Sequence, residues 1–168
     1  QTNSVSVGYS AGQNNQQSDA IAIGAYSGRN TQGIQAIAIG ADAGLHDQKS
    51  TAIAIGFSAG QSNQNIEAIA IGQYSGRYTQ GTNAVALGGS AGRDRQGEYS
   101  IAVGFEAGRL LQGANSIIIN ATGAELNNTD PSRLFVAPIR ALQNPAGGVA
   151  GSLWYNSSTF EICYNPPP

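Results

Sequence analysis

"AIAIGAYSGRNTQGIQ", residues 20–35, is followed by "AIAIGADAGLHDQKST" at 36–51 and "AIAIGFSAGQSNQNIE" at 52–67. Laid on a sixteen-residue ruler, the chain falls into columns. Gly8, Gly24, Gly40, Gly56, Gly72, Gly88 and Gly104 form one column, and Gly12, Gly28, Gly44, Gly60, Gly76, Gly92 and Gly108 a second. Gln16, Gln32, Gln48, Gln64, Gln80, Gln96 and Gln112 form a third. A fixed short period marks units that cannot bury an apolar face alone and must stack on their neighbours.

Sixteen residues are too few for a helical hairpin. Ala-Ile-Ala-Ile alternates with period two, which is the pattern of a β-strand with two distinct faces. The strand meets a glycine, crosses two variable residues and a small one (Ser27, Ala43, Ala59), and reaches a second glycine. Two glycines four apart suit a tight turn with positive φ. A polar segment such as "RNTQG" then returns as a second short strand, closing one coil of a parallel β-solenoid. Coils stack about 4.8 Å apart, so seven or eight make a rod of roughly 35 Å. The Gln column then reads as a structural amide ladder from coil to coil.

Size suggests which face is inside. The larger residues, Val5, Val7, Ile21, Ile23, Ile37, Ile39, Ile53, Ile55, Ile69, Ile71, Val85, Leu87, Ile101, Val103, Ile117 and Ile119, are expected to point inward. The opposite face carries Ala20, Ala22, Ala36, Ala38, Ala52, Ala54, Ala68, Ala70, Ala84, Ala86 and Ala102. A solvated face would show Thr, Lys, Ser or Glu instead, so this smooth strip is expected to be covered by another copy of the chain or by another protein.

"SVSVGYSAG", "AIAIGFSAG" and "IAVGFEAG" resemble the repeats in the heads of trimeric autotransporter adhesins, across residues 4 to about 115. The resemblance implies a left-handed parallel β-roll whose three chains pack side by side, with the Ala strip at the trimer interface. The constant sixteen-residue period departs from the somewhat shorter repeat of those heads. Residues 1–115 are read as seven repeats and 116–168 as a last partial coil plus a β-rich C-terminal cap. In the latter, "RLFVAPIR", "GSLWYN" and "FEICYN" read as strands between turn-rich segments. Trp154, Tyr155, Phe160 and Tyr164 would cover the last coil. This part resembles the "FVAPIR" to "LYYNP" region near the end of fibre-like proteins of large DNA viruses and phages. No heptads, neck or membrane strands are present in the sequence.

Composition narrows the function classes. The 168 residues include 23 Gly, 11% charged residues and no Met, with a formal net charge of −2. That charge offers no footprint for nucleic acid or anionic lipid, and no apolar run approaches the roughly 20 residues needed to span a bilayer. Opening at Gln1, the chain reads as a mature product or an excised fragment. Cys163 is the single cysteine and cannot form an internal disulfide or a zinc site. Asn120-Ala121-Thr122, Asn127-Asn128-Thr129 and Asn156-Ser157-Ser158 are glycosylation sequons, though common by chance in an Asn-rich chain.

Catalytic patterns are weak. His46 beside Asp47 lies in a variable column and reads as a loop residue rather than part of a triad. Asp42, Asp94, Glu98 and Glu106 lie among Arg93, Arg95 and Arg109, which favours surface ion pairs over a glycosidase pair. The expectation is a non-enzymatic protein without metal or cofactor.

Binding is the better reading, because variable loops on a rigid scaffold carry recognition. Residues 20–35 and 68–83 agree at twelve of sixteen positions, three coils apart. Tyr and Arg are frequent recognition anchors, so Tyr26, Arg29, Tyr74, Arg77 and Tyr78 are the candidate receptor-binding residues. The expectation is a homotrimeric viral fibre head on the virion surface, attaching to a host-cell glycan or protein. A bacterial adhesin head, an ice-binding solenoid and a glycan-degrading tailspike are the alternatives.

Overall fold

The computed structural model describes residues 3–139, 152–156 and 161–165, and divides into the units Gln1–Pro138 and Ile139–Pro168. The described chain is all-β. Its strands are β1 (Val5–Val7), β2 (Asn14–Gln16), β3 (Ile21–Ile23), β4 (Asn30–Gln32), β5 (Ile37–Ile39), β6 (His46–Gln48), β7 (Ile53–Ile55), β8 (Ser62–Gln64), β9 (Ile69–Ile71), β10 (Val85–Leu87), β11 (Asp94–Gln96), β12 (Ile101–Val103), β13 (Leu110–Gln112), β14 (Ile117–Asn120), β15 (Leu134–Ala137), β16 (Ser152–Asn156) and β17 (Glu161–Asn165).

The first unit is a β-solenoid of about eight turns. Its main sheet is parallel, in the order β1-β3-β5-β7-β9-β10-β12-β14-β15. Register follows the sixteen-residue ruler: Ile37 stands over Ile21, Ala38 over Ala22 and Ile39 over Ile23. A second sheet runs β2-β4-β6-β8 and resumes as β11-β13. The ladder passes beyond residue 115, since β14 pairs with β15 through Ile117 to Leu134 and Ile119 to Val136. "RLFV" therefore belongs to the solenoid rather than to the cap. In the second unit β16 and β17 pair antiparallel, Trp154 opposite Cys163. The expected covering of the last coil by Trp154, Tyr155, Phe160 and Tyr164 rests on side chains outside the described residues.

The two faces of the main strand are reversed from expectation. Every alanine assigned to the trimer interface, from Ala20 and Ala22 through Ala84, Ala86 and Ala102, is fully buried inside its own chain. The Ile, Val and Leu columns expected inside lie on the outer face instead, with Val7 57% and Leu87 43% exposed. Coil width is the reason. A Cβ placed on Gly60 would lie 3.2 Å from the Ala54 Cβ, so the glycine turn and the strand nearly touch across the interior. Only side chains of about one carbon fit between them. An isoleucine there would overpack the coil, and overpacking typically costs about 1–3 kcal/mol per site. The interior widens only at the end, where Ile118 is fully buried against Leu126 and Phe135.

The glutamines fill the remaining interior. Gln64 Nε2 crosses the coil to donate to Ile53 O at 2.7 Å and Ala68 O at 3.1 Å. It also donates to Gln80 Oε1 at 3.1 Å and so links to the next coil. The same link joins Gln16 to Gln32, Gln48 to Gln64, Gln80 to Gln96 and Gln96 to Gln112. It is missing between Gln32 and Gln48, where Gln48 Oε1 is buried without a protein partner. These amides answer the polar strand carbonyls that alanine cannot reach, which a purely apolar interior would leave unpaired.

Candidate functional site

The site begins in the turn between the two sheets. Its second residue occupies the left-handed region in every coil: Ser10, Tyr26, Asp42, Ser58, Tyr74, Ser90 and Glu106 have φ between 53° and 60°. A bulky side chain is costly there, by about 1–2 kcal/mol, whereas Asp tolerates it by bonding locally. Tyr26 (φ 60°) and Tyr74 (φ 59°) therefore hold strained positions that neither folding pattern nor turn chemistry asks of a tyrosine.

Backbone hydrogen bonds between coils set each tyrosine beside an aromatic ring from the coil below. Tyr26 N donates to Tyr9 O at 2.8 Å, and Tyr74 N to Phe57 O at 2.9 Å. The rings meet edge-on, with centroids 5.3 Å apart for Tyr9–Tyr26 and 5.4 Å for Phe57–Tyr74. The arginine three residues on lies over the tyrosine, Arg29 at 5.2 Å from the Tyr26 ring and Arg77 at 4.9 Å from that of Tyr74. Each arginine is steadied through Nε by a glutamine sixteen residues back, Arg29 to Gln13 Oε1 at 3.1 Å and Arg77 to Gln61 Oε1 at 2.9 Å. The two clusters are built alike and stand three coils apart, a distance of about 14 Å at the usual strand spacing.

The second cluster is larger. Tyr78 brings another ring to 4.8 Å from the Arg77 guanidinium. It also interrupts the second sheet: Tyr78 and Thr79 lie in no strand, and Gln80 alone bridges to Gln64 and Gln96. Thr79 leaves the left-handed conformation that Asn63 and Arg95 keep in the same column. Beside the interruption is an open depression of about 530 Å³ lined by Tyr78, Asp94, Arg95, Leu110 and Leu111.

All five candidate binding residues thus fall into two clusters, Tyr26 with Arg29, and Tyr74 with Arg77 and Tyr78. The sequence reading missed four further members, Tyr9, Phe57, Gln13 and Gln61. The 48-residue spacing of Tyr9 and Phe57 was a usable signal, but their partners lie in the following coil. A third cluster does not form three coils further on. Phe105 keeps its place, but Thr122 stands where the tyrosine would be. Arg109 Nη1 there donates to Glu125 Oε2 at 2.6 Å, with Glu106 3.8 Å from its Nε. The hydrogen bond to Glu125 raises the Arg109 pKa above its ordinary value. Arg29 and Arg77, by contrast, make no ion pair among the described residues.

The remaining candidates are accounted for by their neighbours. His46 Nδ1 accepts from Asn30 Nδ2 at 2.9 Å, continuing an exposed file in which Asn14 Nδ2 donates to Asn30 Oδ1 at 2.9 Å. Asp94 lies 3.9 Å from Arg93 Nε, a loose ion pair of little energetic weight. Asn120 of the first sequon is buried, and its Nδ2 donates to Phe105 O at 2.8 Å and Ala124 O at 2.6 Å. It replaces the turn glycine and closes the last coil from within.

Compared with protein-family models, with curated proteins and with solved structures, the chain finds no significant match in any of the three. The likenesses to adhesin heads and viral fibres rest on the quoted motifs.

Proposed function

We propose that the chain is the non-enzymatic receptor-attaching head of a homotrimeric viral surface fibre, a left-handed β-roll whose three copies pack side by side. The observation that carries this reading is the outer face of the main sheet. Two apolar columns run its whole length, from Val5 and Val7 to Leu134 and Val136, and all four of these residues are well exposed. An apolar strip of that length is the kind of surface that another copy covers. The assembly face accordingly moves from the alanines, which are interior, to the Ile, Val and Leu columns. Repetition supplies several copies of a weak Tyr–Arg surface, and trimerisation multiplies them, so attachment draws on avidity.

Light scattering on the full chain tests the assembly. The expected mass is three times 17.2 kDa. Ile39→Arg with Ile55→Arg should give a folded monomer, because both side chains face outward. Ala54→Arg should fail to fold, since a long charged side chain has no room or partner inside the coil. A wild-type monomer at micromolar concentration would refute the trimer.

A bacterial adhesin head is the second reading, supported by the repeat motifs. A membrane-anchor barrel encoded downstream would favour it. The ice-binding alternative drew on a solvent-facing Ala rank, and that rank is buried. Incubation with a glycan library separates binding from tailspike hydrolysis, since only hydrolysis shortens the glycans.

A further inference from the structure

We infer that the two Tyr–Arg clusters are equivalent subsites for an acidic saccharide, one carrying carboxylate or sulfate groups. The inference rests on the reading of this turn surface as the attachment face and names the chemistry it would recognise. With Nε of Arg29 and of Arg77 engaged by Gln13 and Gln61, each guanidinium is held in place with no protein partner on its two terminal nitrogens among the described residues. That edge is a fork for two parallel bonds to a carboxylate or sulfate. Next to it stands an exposed ring, Tyr9 at 72% and Phe57 at 44%, with an open face on which the apolar side of a sugar ring can rest.

Three independent features set these positions apart from the rest of the rod. At the second position of this turn, tyrosine is accommodated in the left-handed region in these two coils and in no other described coil; Tyr99, with φ of 54°, lies in the opposite turn of its coil. The whole arrangement of ring, ring, Arg and Gln recurs with a 48-residue spacing. Where it fails to recur, at Phe105, Glu125 stands in the arginine position and Arg109 in the glutamine position, and the two pair with each other. A linear acidic polymer lying along the rod would meet both subsites in the same orientation. The second should be the stronger: it has Tyr78 and the adjoining depression, and the next rung holds Ser90 and Arg93, whereas Asp42 stands on the rung above Tyr26.

Calorimetric titration of the full chain with short oligosaccharides tests this. The probes are an unsulfated uronate tetrasaccharide, a sulfated tetrasaccharide, neutral maltotetraose and oligoglutamate of matched charge. Two sites per chain are expected for at least one acidic sugar, and the two acidic arms decide between carboxylate and sulfate. Arg77→Gln and Arg29→Gln should each remove one site, and the surviving site should keep its affinity. A long polymer of the preferred sugar should bind the wild type at least about tenfold more tightly than it binds either variant, because bridging is lost. Binding should weaken as salt rises. Arg109→Gln should leave both sites intact.

Equal binding of maltotetraose, equal binding of oligoglutamate, or unchanged stoichiometry in both Arg variants would overturn the inference. Melting curves of the variants that match wild type confirm that any lost site is not lost fold. If the chain attaches to cells but binds neither acidic sugar, the subsite chemistry is wrong and the attachment reading stands. If it binds the sugars as described but attaches to no cell, the attachment reading fails instead.

Discussion

Replacing Gly56 by alanine adds one methyl group, and the structure says where it must go. Gly56 has φ of +127°, a region that L side chains rarely adopt. Its Cβ would stand 2.7 Å from the Gly72 carbonyl oxygen and 2.8 Å from the carbonyl carbon. That obstacle is backbone of the next coil, fixed in turn by the Gly72 N to Ile55 O bond at 2.8 Å. No flexible side chain is present to yield. Backbone strain of this kind costs about 1–3 kcal/mol, and relieving the clash requires prising two coils apart, so the total should reach about 3 kcal/mol. For a chain of this size that lowers Tm by roughly 6–12 °C.

Gly89→Ala is the matched control. Gly89 lies next to the same glycine column, but φ there is not in the left-handed region and its Cβ would meet only the Phe105 ring, at 3.4 Å. The corresponding column holds Ala25, Ala41 and Gln73. Gly89→Ala should be neutral or stabilise by up to about 1 kcal/mol, because it restricts the unfolded chain. Thermal and urea unfolding followed by circular dichroism read both variants. Because the solenoid is held together between neighbouring coils, Gly56→Ala should also broaden the transition as the two halves uncouple. Equal melting temperatures for the two variants would refute the argument that coil contact at the glycine column limits what the turn can hold.

Gln64→Glu should destabilise by about 3 kcal/mol or more at pH 7, since a buried carboxylate oxygen would face the Ile53 and Ala68 carbonyls that the amide now satisfies. Those acceptors and the burial raise the folded-state pKa of the new carboxyl above its unfolded value of about 4.3. The deficit is therefore fully present above the folded pKa and shrinks as pH falls through it, which urea titrations at pH 7 and pH 4 would show. Asn120→Ala should cost about 1–3 kcal/mol by leaving two carbonyls unpaired. In a glycosylating host, peptide mass mapping of the folded protein should find Asn120 unmodified, because its Nδ2 is already bonded inside the last coil.

Much of the architecture was legible in the residues themselves. Stacking cannot tolerate a shift of register when every coil must present glycine to the glycine above it, so the sixteen-residue period, the strand, the turn and the glutamine ladder all follow from columns that never slip. What alternation could not say is which face lies inside. It separates Ala from Ile but does not measure the room available, and the usual preference for burying the larger side chain pointed the wrong way. The room is set by how closely the glycine turn approaches the strand across one coil, as at Gly60 and Ala54, and that is a tertiary quantity. A trace was present in the columns: the outer positions vary among Ile, Val and Leu, while the inner ones stay Ala or Ser until Ile118. The Tyr–Arg clusters divide the same way. Their tyrosines and arginines stood out by repetition, but the rings of Tyr9 and Phe57 join them from a different coil, seventeen residues back. Only the parallel hydrogen bonding of one turn upon the next places those groups side by side.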